Sequence, residues 1–156
     1  MRSFSYTIEQ LAKFCNAKFI GISSDEVIHQ VLIDSRKAKH FSQHLFIAIK
    51  GIRHDGHQFI DELYKKGFRN FLISDAELET SDYPQANFLL FDNTLKAFQY
   101  LAKNHRLQFE IPVIGITGSN GKTIVKEWLS TSLQNQYKIC KSPKSYNSQV
   151  GVPLSV

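Results

Sequence analysis

Cysteine is nearly missing from this sequence. Cys15 and Cys140 stand far apart with no C-x-x-C spacing, which argues against a disulfide framework or a cysteine-held zinc ion. Such sparing use fits a reducing compartment, the cytoplasm. Long apolar runs are missing too. None approaches the length that crosses a bilayer, and the stretch from Met1 to Glu9 has no apolar signal core, so no membrane partner is expected. No internal repeat or low-complexity tract is visible, and no basic stripe is interleaved with aromatics. The formal net charge of +5 comes from scattered residues, among them Lys37, Lys39, Lys65, Lys66, Arg69, Lys138, Lys141 and Lys144. No nucleic-acid partner is therefore expected. The basic excess suits either a solvated surface or a small polyanion such as a nucleotide.

What is there belongs to a globular chain with a core. Its 156 residues are 42% hydrophobic and 21% charged, enough for one domain, or one domain and part of another. Thr7-Ile8-Glu9-Gln10 reads as a capping box, and Ile8, Leu11, Ala12 and Cys15 make one face of the helix it opens. Phe19-Ile20, Val27 to Ile33, Leu45 to Ile49, Phe71 to Ile73 and Phe88 to Phe91 read as strands. Between them lie a helix from about Gln58 to Lys66, with Gly67 past its end, and a helix capped by Asp92 or Thr94. The second helix carries Leu95, Phe98, Leu101, Ala102 and His105 and ends near Gln108. This alternation predicts an α/β fold with a mainly parallel sheet, mixed at its start. The aromatics, Trp128 included, sit at strand or helix spacing and read as core.

The richest stretch is Ile114-Gly115-Ile116-Thr117-Gly118-Ser119-Asn120-Gly121-Lys122-Thr123. The apolar run from Ile111 to Ile116 predicts a buried strand. A glycine-containing loop follows, and a helix from Lys122 with Ile124, Val125, Trp128, Leu129 and Leu133 on the face expected to pack on a sheet. Tyr137 to Cys140 reads as one more strand, and a further helix is expected to begin at the chain's end. Strand, loop, Lys-Thr and helix form the phosphate-cradling order of nucleotide-binding proteins. Gly118 and Gly121 permit φ > 0 and close backbone approach, and the loop amides and helix dipole favour an anion. Lys122 can neutralise β- and γ-phosphate oxygens, and the Thr123 hydroxyl can hold Mg²⁺. The general pattern asks for a further Gly where Ile116 stands.

The motif T-G-S-N-G-K-T resembles the ATP loop of the Mur ligases, which commonly lack that first Gly. The resemblance covers nearly the whole chain. Asp34-Ser35-Arg36, Leu45 to Gly51, Asp55-Gly56-His57 with Phe59, the ATP loop and Asn147-x-x-x-Gly151-x-Pro153 occur in family order. Singly the short motifs are weak; five in order are strong. The tail from Tyr146 is similar to the branch that adds D-Ala-D-Ala to UDP-N-acetylmuramoyl-tripeptide in peptidoglycan synthesis, especially a bacterial form fused to an alanine racemase. The resemblance implies a UDP-sugar-binding N-terminal domain over 1–110 and the truncated start of a P-loop ATP-binding central domain over 111–156, cut short before catalysis is complete.

It further implies an ATP- and Mg²⁺-dependent ligase in which the tripeptide carboxylate becomes an acyl phosphate and the amine of D-Ala-D-Ala displaces phosphate. Thr117, Gly118, Ser119, Asn120, Gly121, Lys122 and Thr123 would bind ATP, with Lys122 catalytic and Thr123 on the metal. Ser35 and Arg36 would meet the UDP end, or else form a turn capped by Asp34 with an exposed arginine. Asn147 would touch the muramoyl part or the metal shell, or hold its own loop. His54 and His57, on a polar loop with Arg53, have H-x-x-H spacing but read as surface or turn residues, with no transition metal. The alternatives are the sister ligase that adds the third peptide residue, another P-loop NTPase or folylpolyglutamate synthase-like ligase, and a non-catalytic nucleotide or nucleic-acid module.

Overall fold

The capping box at Thr7 forms as the sequence predicts. In the computed structural model, which describes residues 4–37, 43–52, 54–143 and 146–156, the Gln10 amide donates to Thr7 Oγ1 at 3.2 Å and the Thr7 amide to Gln10 Oε1 at 3.0 Å. The cap starts α1 (Ile8–Cys15), whose Ile8, Leu11, Ala12 and Cys15 are all buried. Asn16, left-handed at φ 54, ends it, and the Ala17 amide closes back on Ala12 O at 2.9 Å. Lys39, Arg53, Lys144 and Ser145 lie outside the described residues.

The chain divides into two compact units, Met1–Asn104 and His105–Val156. In the first, β1 (Tyr6–Thr7) pairs antiparallel with β3 (Val27–Ile28). A five-stranded sheet runs β2-β7-β6-β5-β4, with β2 (Lys18–Ile20), β4 (Gln30–Leu32), β5 (His44–Ile47), β6 (Asn70–Ile73) and β7 (Asn87–Leu90). β4 to β7 are parallel, and β2 is antiparallel on the edge. The expected strand from Val27 to Ile33 is two strands, because His29 leaves the ladder and its amide donates to Gln43 O at 2.8 Å.

The parallel strands read as continuous apolar runs because both faces of the sheet are covered. One face carries Phe46, Ala48, Phe71, Ile73 and Phe88, packed with Ile60 and Leu63 of α2 (Ile60–Lys65) and with Phe68. Phe71 and Phe88 stack with ring centroids 5.5 Å apart. Each such side chain contributes about 1.5–3 kcal/mol on burial. The i,i+4 pairs Lys13–Glu9 and Lys65–Asp61 are exposed, where solvent screening leaves an ion pair little net effect, so the aromatic cluster decides stability. Gly67, at φ 101, closes α2 by letting the Phe68 amide reach Leu63 O at 2.9 Å. The next helix, α3 (Thr94–Arg106), is capped by Asn93 rather than by Asp92 or Thr94: Asn93 Oδ1 accepts the Lys96 amide at 2.9 Å. Thr94 is buried, and its hydroxyl instead accepts the Lys50 amide at 3.4 Å.

A polar hub at the amino ends of β6 and β7 was not expected. Asn70 and Asn87 are paired in register and fully buried. Asn87 Oδ1 accepts the Ile22 and Ser23 amides at 3.1 and 3.0 Å, and its Nδ2 donates to Glu26 Oε2 and Asn70 Oδ1 at 3.0 and 2.9 Å. The same carboxylate receives Asn70 Nδ2 at 3.0 Å. This hub fixes the 21–26 loop, where Gly21 leaves no space for a Cβ beside Asn87.

The second unit departs from expectation. No strand forms over 111–116 or 137–140, and Ile111, Val113 and Ile114 are exposed. A parallel strand is stable only between neighbours that take up its amides and carbonyls. Among the described residues of this unit there is no other strand. The segment has no regular secondary structure, and Arg106 holds its start, donating to Phe109 O at 2.6 Å and Ile111 O at 2.8 Å. The helix α4 (Lys122–Leu133) does form. Its expected core face is not buried: Ile124 and Val125 are exposed, and Trp128 is 69% exposed rather than core. The last residues make a 3₁₀ turn, Pro153–Ser155.

Candidate functional site

Parallel α/β sheets bind ligands beyond the carboxyl ends of their strands, and two motifs of the first unit lie there. After β4, Ser35–Lys37 is a 3₁₀ turn. Asp34 Oδ1 accepts the Arg36 amide at 3.1 Å, and the Arg36 side chain returns to the same carboxylate twice, Nε to Oδ1 and Nη2 to Oδ2, both at 2.9 Å. The aspartate-capped turn with an exposed arginine is therefore the geometry present. Arg36 is oriented by this pair, Nη1 carrying two further N–H donors, and Ser35 beside it is half-buried.

The hydrogen bonds from Arg36 hold the Asp34 carboxyl down at about 2, against roughly 3.9 in an unfolded chain. A depressed carboxylate favours the folded state above the unfolded value, and that contribution is lost as pH falls through about 2. A ¹³C titration of Asp34 should show the low midpoint. In Arg36→Ala the midpoint should return toward the ordinary range, and an unchanged midpoint would refute the pairing.

After β5 the chain makes a tight excursion. Lys50 and Asp55 form an isolated antiparallel bridge, the Gly51 amide donates to His54 O at 2.8 Å and the Gly56 amide to Ile49 O at 2.9 Å. Gly56 is required by proximity, since a Cβ there would sit 2.8 Å from Ala48 Cα and Ile49 N. Asp55 caps the 3₁₀ turn Gly56–Phe59, its Oδ1 accepting the His57 amide at 2.9 Å. His57 is turned inward with Nδ1 2.5 Å from Asp55 Oδ1, and Nε2 accepts the Ser74 amide at 2.9 Å. His54 is exposed, so the two histidines do not converge as an H-x-x-H pair. Among the described residues no three metal-ligating side chains cluster. The sequence reading missed the His57–Ser74 bond; an Asp-Gly-His triplet opening a helix is the signal that the histidine is held by its own cap.

In the second unit, Gly118 and Gly121 adopt φ 147 and φ 78, and α4 starts directly after Gly121. The first helical amides have no carbonyl within the helix to bond, and the helix dipole adds positive potential at the same end. A Cβ added at Gly121 would meet nothing within 4 Å, so the loop backbone faces open space. Residues Ser119 to Ile124 line a cleft of about 340 Å³, and Asn147 lines it with them. Thr117 and Gly118 precede the cleft and do not line it. Lys122 Nζ folds back over the loop, donating to Gly118 O and, at 3.3 Å, to Ser119 O. Thr123 stands beside it on the first helical turn. These donors fit a nucleotide phosphate chain: an open cradle of amides, one ammonium and one hydroxyl for a phosphate-bound Mg²⁺.

Comparison with known proteins agrees with this geometry. The family model described as "Mur ligase family, catalytic domain" matches residues 27–106, from β3 to the end of α3. The UDP-N-acetylmuramoyl-tripeptide–D-alanyl-D-alanine ligase of Bacillus subtilis is 39% identical over 96% of this chain and 32% of its own length. The ligase of the same name from Escherichia coli is 34% identical over 97% and 32%. The chain thus spans about a third of the length of the curated relatives it matches. Among solved structures, a UDP-N-acetylmuramoylalanyl-D-glutamyl-2,6-diaminopimelate–D-alanyl-D-alanyl ligase from Acinetobacter baumannii superposes with a TM-score of 0.85 at 26% identity, over 99% of this chain and 34% of that one. A MurF ligase from Thermotoga maritima in complex with ADP gives 0.69 at 32% identity, over 81% and 28%. On the match from β3 to α3, and with these relatives alongside it, the chain belongs to the Mur ligase family.

Proposed function

We propose that this chain supplies the UDP-sugar-binding part, over 1–110, and the beginning of the ATP-binding part, over 111–156, of a ligase that joins D-Ala-D-Ala to UDP-N-acetylmuramoyl-tripeptide in the cytoplasm. The observation that carries this reading is that both ligand-facing motifs of the family fold into loops ready for an anionic ligand. Asp34-Ser35-Arg36 forms an oriented turn at the carboxyl edge of a parallel sheet, and Thr117 to Thr123 runs into a helix N-terminus. ATP supplies the phosphoryl group that activates the tripeptide carboxylate, and the incoming amine then displaces phosphate.

The roles of the side chains follow from their chemistry. Lys122 leaves the loop carbonyls for the β- and γ-phosphate oxygens and stabilises charge as the phosphoryl group transfers. The Thr123 hydroxyl holds Mg²⁺, and the amides of 118–123 cradle the phosphates. Asn147, on the same cleft, reaches the muramoyl side of the bound substrates or the metal shell. Ser35 and Arg36 take the UDP end, where a guanidinium matches phosphate geometry. Catalysis also requires carboxylates for the metal and a site for D-Ala-D-Ala, because positioning must come from several elements at once. The 156-residue chain spans about a third of the length of the relatives it matches, and we expect it to form no peptide bond by itself.

The test is phosphate release by the full-length ligase. Turnover is expected with UDP-muramoyl-tripeptide, MgATP and D-Ala-D-Ala together, and with none of the three omitted. Turnover with the dipeptide substrate and a diamino acid instead would identify the sister ligase and contradict this reading.

A further inference from the structure

We propose that His57 is the positioning residue of the UDP-sugar site: its ring ties the loop after β5 to the loop after β6 and so sets the carboxyl edge on which the nucleotide lies. The inference rests on the UDP-binding reading above. An amide N–H can only donate, so the Ser74 contact at 2.9 Å requires a lone pair on His57 Nε2. The ring proton is then on Nδ1, where Asp55 Oδ1 accepts it at 2.5 Å. This fixes the tautomer and the ring orientation together.

The ring is only 9% exposed at its side chain, while its partner Asp55 is 41% exposed and has Lys50 Nζ at 3.8 Å. A continuous path therefore leads from a shielded imidazole to charged groups at the surface of the edge. The path also reaches the third loop, since the Lys50 amide donates to Thr94 Oγ1 at the start of α3. Ser74 follows the last residue of β6, beyond the ladder, so its amide has no strand partner there and the ring supplies the acceptor. The excursion that carries His57 is equally constrained: Gly56 lies against the Ala48 and Ile49 backbone. A ring held on two sides in this way transmits small displacements of either loop directly to the other.

The experiment uses the 156-residue chain, with UDP as the titrant, in three forms: wild type, His57→Phe and His57→Gln. Phenylalanine keeps the ring and loses both hydrogen bonds, and the glutamine oxygen can still reach the Ser74 amide. Imidazole ¹⁵N spectra of the wild type should show protonated Nδ1 and unprotonated Nε2. UDP affinity should fall at least tenfold in His57→Phe and stay within about threefold of wild type in His57→Gln, at similar melting temperatures. Wild-type affinity in His57→Phe, or a glutamine variant as weak as the phenylalanine one, overturns the inference alone. No UDP binding by the wild type overturns the UDP reading and this inference with it. Should His57→Phe not fold, the tautomer decides: a proton found on Nε2 refutes the inference without any variant.

Discussion

Replacing Lys122 with Ala is expected to abolish ATP-dependent acyl phosphate formation in the full-length ligase, by about a thousandfold or more in kcat, while leaving the fold unchanged. The two halves of this expectation have separate grounds. Among the described residues, the Lys122 ammonium donates to the Gly118 and Ser119 carbonyls, hydrogen bonds that solvent replaces at little cost on an exposed loop. Its removal therefore leaves no cavity and no buried orphan. During phosphoryl transfer, however, the same ammonium is the one side-chain cation the loop offers to the developing charge. Single-turnover phosphate release, compared with the circular dichroism of the variant, checks both halves. Near-normal turnover would remove Lys122 from the proposed catalytic role. Loss of the folded signal would show that the lysine is structural.

Asn87→Leu is expected to destabilise the first unit strongly. Leucine is close in volume, so packing is nearly kept, but four hydrogen bonds disappear at a site that is 1% exposed. The Ile22 and Ser23 amides lose their acceptor, and the Glu26 carboxylate loses one of two amide donors while facing a new apolar surface. Orphaned polar groups cost about 1–3 kcal/mol each, and the partners can recover part of this by moving the 21–26 loop toward water. A loss of roughly 3–5 kcal/mol is expected, a large share of the 5–15 kcal/mol typical of a domain. Urea unfolding of the wild type and variant measures it. A change under about 1 kcal/mol would show that the hub is dispensable.

The first unit was largely legible because each of its elements carries its own signal. Thr7 and Gln10 announce α1, Gly67 ends α2, and the apolar runs from Leu45, Phe71 and Phe88 find neighbours within the unit. The hub was missed because a buried asparagine looks like any polar residue before a strand. The signal lay in the repetition of Asn70-Phe71-Leu72-Ile73 in Asn87-Phe88-Leu89-Leu90, two strands whose first residues pair across the sheet. The second unit was legible at its loop and helix, which form from local rules: glycine at positive φ and a helix started at Lys122. It was not legible at Ile111 to Ile116 or at the Trp128 face, because apolar pattern states what a segment would bury and not whether a partner strand is present. Asp34 and Arg36 illustrate the remaining limit. Sequence names the residues that can meet a phosphate, and only geometry reveals that they first meet each other.

The central claim is that the sheet edge carrying Asp34-Ser35-Arg36 binds the UDP end of a muramoyl peptide. Calorimetric titration of UDP-muramoyl-tripeptide into the 156-residue chain tests it most directly. Binding is expected in the wild type, weakened in Arg36→Ala by about 1.5–3 kcal/mol, with no ligation when MgATP and D-Ala-D-Ala are added. Absence of binding, or equal affinity in Arg36→Ala, would contradict the account.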